Sequence, residues 1–269
     1  MSTVKSNSDL DAKHGVQAAE TVLQVLSGFI GAEPMPMLKT LAERAAMHPA
    51  KVHRYLVSLS RMGYVEQDPE SSRYRLGPMA LRLGFAAMAS VDAIRVTRPL
   101  MFGFAQSVGH SVLLGVWNDN GPMIALKESA PGPITITSTE GTVLPILRSA
   151  IGRAFGAWLP RPKTAALVEK ELEVLRAAPH PGCPSSQQEV DALFKDIRKR
   201  GIVRITGQLS PVMHSLSAPV FNSASELEAV LCVAGPPATF DSTWSSPTAA
   251  LLLQAAATLS RGLGHQPAR

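Results

Sequence analysis

Residues 37–77 constrain the fold of this 269-residue chain more than any other stretch, because two short helices and a tight hairpin follow one another there. Apolar residues recur at helical spacing over 37–46 and again over 49–62. A two-residue turn separates the two segments, and Pro49 stands where the first turn of a helix tolerates proline. This order predicts a helix-turn-helix in which the helix from Pro49 is the recognition helix.

A hairpin is predicted directly after the second of these helices. The segments 64–67 and 73–76 have strand-like composition, and Asp-Pro-Glu-Ser-Ser between them is strong turn sequence. Side chains alternate along a strand, so Arg73 and Arg75 are expected to point outward, away from Tyr74. The hairpin therefore has the character of a wing whose arginines contact DNA.

The basic residues of the chain concentrate in this region. Residues 39–82 hold eight Lys or Arg and four acids, so they carry +4 of the formal net charge of +5. Cations on a recognition helix neutralise phosphates and read base edges. The alternative is that these side chains form only a solvated face. The candidate DNA-binding residues are His48, Pro49, Ala50, Lys51, His53, Arg54, Arg61, Arg73 and Arg75.

Length and composition allow two packed domains rather than a disordered or membrane-embedded chain. Hydrophobic residues make up 45% of the sequence, and residues 1–15 are expected to be a disordered tail without a signal peptide. Two cysteines fit a reducing cytoplasm. The most apolar run, 249–259, is too short for a membrane span, which needs about 20 residues. We expect a cytoplasmic protein with no membrane partner.

The remainder of the chain changes character after a short Ala- and Met-rich segment. We assign 16–77 to the winged helix-turn-helix domain, 78–92 to a linker helix and 93–265 to a second domain. The linker helix either packs against its counterpart in a dimer or is buried within one subunit. Strands predicted over 111–117, 123–127, 134–138, 202–206, 213–221 and 227–234 alternate with helices and hairpin turns. The fold class is therefore α+β, with a mixed, largely antiparallel C-terminal α/β domain.

Several segments resemble the IclR family of bacterial transcription regulators. LAERAAMHPAKVHRYLVSLSRMGYVEQDPESSRYRLG (41–77) is similar to the family's DNA-binding domain. GTVLPILRSAIGRA (141–154) resembles its effector-domain loop, and RGIVRITGQLSPVMHSLSAPVF (200–221) with AVLCVAGP (229–236) resembles its signature strands. The resemblance covers about residues 16–262. It implies a small-molecule effector domain and a homodimer or homotetramer on a pseudopalindromic double-stranded DNA operator.

The resemblance also implies an effector site between the 141–154 loop and the signature strands. Carried over by position, the effector-binding residues are Arg148, Ala150, Ile151, Ser215, Cys232 and Ala234. Many members have serine where this chain has Ala234, so the site is predicted to be less polar than usual and to take a ligand with an apolar or aromatic body. A carboxylate would be held by Ser215, with Arg148 or loop N–H groups. The alternatives are that Arg148 is a surface cation and that the site has lost its ligand.

No catalytic signature accompanies these features. The sequence contains no G-x-S-x-G, H-E-x-x-H, C-x-x-C or G-x-x-x-x-G-K motif, so we assign no catalytic residue, no metal site and no cofactor. The sequence predicts a ligand-responsive regulator of a catabolic or related metabolic operon, with a small carboxylic or aromatic effector. The alternatives are a regulator with a vestigial pocket and a small-molecule sensor or enzyme acting without DNA.

Overall fold

A computed structural model describes residues 15–30, 33–89, 92–129 and 138–266. The predicted tail 1–15 and the predicted strand 134–138 lie outside the described residues, except for their last positions. The helices are α1 (Gln17–Ser27), α2 (Leu38–Arg44), α3 (Pro49–Arg61), α4 (Pro78–Ala89), α5 (Asp92–Val108), α6 (Ala150–Trp158), α7 (Arg161–Ala177), α8 (Gln187–Arg200) and α9 (Pro247–Gly262). The strands are β1 (Val65–Gln67), β2 (Tyr74–Leu76), β3 (Ser111–Asn118), β4 (Gly121–Glu128), β5 (Val203–Thr206), β6 (His214–Phe221) and β7 (Leu227–Gly235).

The chain divides into two compact units, residues 1–87 and 88–269. In the first unit α1, α2 and α3 pack around one apolar core that includes Val25, Leu41 and Leu56. The hairpin β1–β2 is antiparallel and adds Tyr74 to this core. These elements have the order predicted for a winged helix-turn-helix.

The turn between α2 and α3 fixes where the recognition helix begins. Ala46 takes a left-handed conformation, with φ of 50°, and reverses the chain. His48 then caps α3, because its Nδ1 accepts the N–H of Ala50 at 3.3 Å, and Pro49 occupies the first turn. The side-chain acceptor satisfies a backbone donor that has no partner within the helix.

The second unit is built on a five-stranded antiparallel sheet. Its strand order is β4-β3-β7-β6-β5, and every neighbouring pair is antiparallel. Helices cover both faces: α5 and α9 pack on one, and α6, α7 and α8 lie on the other. Because side chains alternate along a strand, β7 sends Leu231 and Val233 into one core and Cys232 into the other.

The helix α4 joins the two sequence regions. It ends at Ala89, three residues before the predicted end of the linker at 92, and the division into compact units falls after Ala87. Leu81, Leu83 and Phe85 are each more than half exposed. None of the described helices is long and apolar enough to cross a membrane.

Candidate DNA-binding surface and effector cavity

The exposed face of α3 carries cations and no acid. Lys51, His53, Arg54 and Arg61 are exposed, whereas Val52, Leu56 and Leu59 of the same helix are buried. The helix therefore presents one face to the core and a basic face to solvent. Ala50 and the cap His48, both exposed, extend this face to the start of the helix. A helix with this polarity suits the major groove of DNA, where basic side chains meet phosphates and base edges.

Arg73 does not point outward from the wing as predicted. Its guanidinium donates to Glu33 Oε1 at 2.9 Å and to the Met35 carbonyl at 2.9 Å. Glu33 also lies 3.7 Å from the guanidinium of Arg44, at the end of α2. Arg73 thus connects the wing to the chain before α2, and because its NH1 group is engaged within the unit we leave it out of the proposed DNA contacts.

Arg75 does lie on the exposed side of the wing. Its NH2 group is 2.7 Å from Glu66 Oε2, across the hairpin. The two side chains are 58% and 43% exposed, so the pair contributes little to stability and is screened by salt. Arg75 remains a candidate DNA contact, although the Glu66 carboxylate competes with a phosphate for its guanidinium.

A cavity of about 430 Å³ lies between the sheet and the start of α6. Its floor follows from strand register: Ser215 on β6 pairs with Ala234 on β7, and Ser217 pairs with Cys232. Ala150 and Ile151, the first residues of α6, form part of the opposite wall. Five of the six predicted effector residues (Ala150, Ile151, Ser215, Cys232 and Ala234) therefore line one cavity.

The lining is mainly apolar, with a few hydroxyl groups. The apolar lining residues are Leu113, Ile124, Val143, Leu144, Pro145, Ala150, Ile151, Ile205, Leu209, Val212, Met213, Cys232 and Ala234. Ser138, Thr142, Ser149, Ser210 and Ser215 add hydroxyl groups. Among the described residues no charged side chain lines the cavity. Such a site suits an apolar body with one or two groups that form hydrogen bonds.

Cys232 is a neutral thiol at the floor of the cavity. Burial raises its pKa to about 12, because the thiolate would lose its hydration. The cavity therefore has no nucleophile here at neutral pH.

Arg148 is absent from the cavity lining. Its Nε lies 3.3 Å from Glu171 Oε1 on α7, so the guanidinium is paired outside the cavity. The prediction that Arg148 reaches an effector carboxylate is therefore not supported by this geometry, and its partner lies 23 residues further along the chain. Ser149, which sequence reasoning missed, does line the cavity and caps α6 by accepting the N–H of Gly152. A serine directly before a helical segment was the signal for it.

A larger cleft of about 600 Å³ lies between α7 and α8. Its lining includes exposed charged side chains such as Arg161, Glu169 and Asp191, and none of the predicted effector residues. We assign the effector site to the smaller cavity, because its lining is mainly apolar with a few polar groups, which is the usual form of a small-molecule site.

Both units match models of one protein family. Residues 18–69 match the IclR helix-turn-helix domain, and residues 85–261 match the bacterial transcriptional regulator IclR C-terminal domain. The chain belongs to the IclR family. Members of this family are transcription regulators rather than enzymes. The chain is therefore a DNA-binding regulator with a C-terminal effector domain.

Individual relatives agree with this assignment over nearly the whole chain. The chain is 27% identical over 252 residues to the HTH-type transcriptional regulator BhcR of Paracoccus denitrificans (strain Pd 1222), covering 93% of this chain and 88% of that protein. It is similar in structure to Pseudomonas aeruginosa HmgR, with a TM-score of 0.78 and 32% identity, covering 93% of this chain and 100% of that chain. An IclR homologue from Microbacterium hydrocarbonoxydans complexed with 4-hydroxybenzoate shares the fold. Its TM-score is 0.77 at 20% identity, covering 91% of this chain and 98% of that chain.

Proposed function

We propose that this IclR-family member is a cytoplasmic, ligand-responsive regulator of a catabolic or related metabolic operon. The observation that carries the proposal is the combination within one chain of an acid-free basic helix face and an apolar cavity in a separate compact unit. Effector binding in the second unit changes operator affinity through the free energy that couples the two sites.

The DNA contacts proposed here are those of α3 together with Arg75. Lys51 and Arg54 are exposed near the start of the helix, and they supply both phosphate neutralisation and base contacts. Genome-wide mapping of bound sites supplies the operator fragment for binding measurements. Wild-type affinity should fall steeply with salt, because phosphate contacts release counterions.

Lys51→Ala and Arg54→Ala should each weaken operator binding about tenfold and lower the slope of log affinity against log salt by about one. Lys195→Ala, an exposed lysine on α8, is the matched control and should bind as the wild type does. Urea unfolding followed by circular dichroism should show all three variants folded. Wild-type affinity in both helix variants would contradict the assignment of α3 as the recognition helix.

The proposed effector is a small molecule with an apolar or aromatic body and a carboxyl or hydroxyl group. The cavity of about 430 Å³ accommodates a single aromatic ring with substituents. Ser215 and the N–H groups at the start of α6 are the proposed partners of the polar group, because the positive end of a helix dipole favours an anion. With Arg148 paired to Glu171, no guanidinium takes part in this proposal.

A thermal-shift panel of aromatic acids, including 4-hydroxybenzoate, and of aliphatic acids tests this site. A ligand present at about 100 times its Kd should raise the Tm by about 5–10 °C, since binding to the folded state alone stabilises it by about 2.7 kcal/mol. Ala234→Leu should abolish the shift by filling the cavity, whereas Ala257→Leu, on an exposed face of α9, should retain it. No shift with any acid would indicate a different ligand class or a vestigial pocket.

A homodimer or homotetramer on a pseudopalindromic operator completes the proposal. The exposed apolar side chains of α4 support it, because Leu81, Leu83 and Phe85 are exposed together on one short helix. Helices that are apolar yet exposed in one subunit mark contacts with another chain.

A further inference from the structure

One wall of the effector cavity is a loop together with the first two residues of α6. Residues 144–151, called the wall segment from here on, contribute Leu144, Pro145 and Ala150 to the cavity. Leu147, in the middle of the segment, is fully buried and does not line the cavity. A buried loop needs partners for its backbone outside regular secondary structure, and those partners determine its shape.

Two ionisable side chains hold the backbone of Leu147. Its N–H donates to Glu171 Oε2 at 3.0 Å, and its carbonyl accepts from Arg153 Nε at 2.7 Å. Arg153 is only 4% exposed. Hydrogen bonds to charged groups are stronger than neutral ones, and a buried charge persists only where its donors are satisfied.

The Arg153 guanidinium also binds a second loop. Its NH2 group donates to the Gly182 carbonyl at 2.7 Å and lies 3.8 Å from Cys183 Sγ. The far end of the wall segment is held by the sheet, where Ser217 Oγ donates to the Ala150 carbonyl at 2.8 Å. The planar guanidinium can satisfy carbonyls on two loops at once, which a lysine ammonium cannot do in the same geometry.

We propose that Arg153 and Glu171 are positioning residues that fix the wall segment and thereby set the shape of the effector cavity. Neither side chain lines the cavity. The biological meaning of this arrangement rests on the proposed effector function, but the arrangement itself can be tested without effector or DNA.

Alkylation of Cys232 by iodoacetamide reports on the wall segment, because the thiol is buried at the cavity floor. Mass spectrometry separates it from Cys183, since cleavage after Lys195 places the two cysteines in different tryptic peptides. Arg153→Gln should raise the alkylation rate about tenfold, because local opening of the wall exposes the thiol. Arg153→Lys and Glu171→Gln should each give a smaller rise of about threefold, since each keeps part of the hydrogen bonding.

Leu252→Ala separates this effect from general destabilisation. Leu252 is fully buried in the core on the opposite face of the sheet. Each variant is alkylated at the same number of degrees below its own Tm. The proposal would be overturned if Cys232 were alkylated no faster in Arg153→Gln than in Leu252→Ala. The proposal would also be overturned if the alkylation rate of Cys232 in Arg153→Gln equalled the wild-type rate.

Hydrogen exchange covers the case in which Arg153→Gln does not fold. In Glu171→Gln, exchange in peptides spanning the wall segment should be at least threefold faster than in the wild type, with α9 peptides unchanged. Equal exchange rates in the wall segment would overturn the role of Glu171. Because neither readout uses an acid ligand, a negative thermal-shift panel would count against the proposed effector class and leave the positioning role standing.

Discussion

Arg73 and Arg75 stand two residues apart on the wing and differ in what holds them. Arg73 is bound to Glu33 and to the Met35 carbonyl, whereas Arg75 is paired with the half-buried Glu66. Arg73→Ala should therefore lower the free energy of unfolding of the N-terminal unit by roughly 1 kcal/mol, a value reduced by the partial exposure of the pair. Arg75→Ala should leave stability nearly unchanged and weaken DNA binding evenly across sequences.

Urea unfolding followed by circular dichroism measures the stability difference. All three tryptophans lie in residues 88–269, so the transition seen by tryptophan fluorescence should stay the same and serves as an internal control. Equal stability of the two arginine variants would show that the Glu33 and Met35 contacts do not stabilise the wing.

The turn between α2 and α3 holds its shape despite an unfavourable residue. Ala46 adopts φ of 50°, a conformation that costs an alanine roughly 1–2 kcal/mol relative to glycine. Ala46→Gly should raise the free energy of unfolding by about 0.5–1 kcal/mol, after allowing for the greater freedom of glycine in the unfolded chain. Operator binding should be retained, because the substitution keeps the path of the turn.

An alanine-to-glycine substitution within a helix should instead lower the free energy of unfolding. Ala19 is exposed inside α1, so Ala19→Gly should cost up to about 1 kcal/mol. Urea unfolding of the two variants in parallel provides the measurement. A loss of stability in Ala46→Gly would indicate that the left-handed turn is not strained.

Elements with local signals could be predicted from the sequence, and long-range pairings could not. The helix α8 ends at Gly201, whose φ of 72° suits glycine, and the β3–β4 hairpin turns at 118–121, as their compositions predict. Alternation along the signature strands likewise indicated which residues face the cavity. The partners of Arg73 and Arg148 lie 40 and 23 residues away, and no local pattern connects them. The buried role of Arg153 was missed for the same reason.

At the scale of the whole molecule, α4 offers an apolar surface for contact with a second subunit. Leu81, Leu83 and Phe85 are 57–60% exposed, and burial of the remaining surface of each against a second subunit would contribute about 1–2 kcal/mol. Leu83→Glu combined with Phe85→Glu should therefore raise the dissociation constant of the dimer by at least about 100-fold. Light scattering after gel filtration would then show a mass near the 28.6 kDa monomer.

Arg82→Glu is the matched control on the same helix, because it changes an exposed charge and no apolar side chain. It should keep the wild-type mass. If the double variant also kept it, assembly would have to use another surface.

The two separate cores of the five-stranded sheet have a consequence for how such regulators diverge. The cavity side chains and the α5–α9 contacts occupy alternate positions of the same strands, as Cys232 does between Leu231 and Val233. Substitutions at cavity positions therefore leave the packing of the opposite face intact. Ligand preference is free to drift over evolutionary time while the scaffold that carries it stays constant.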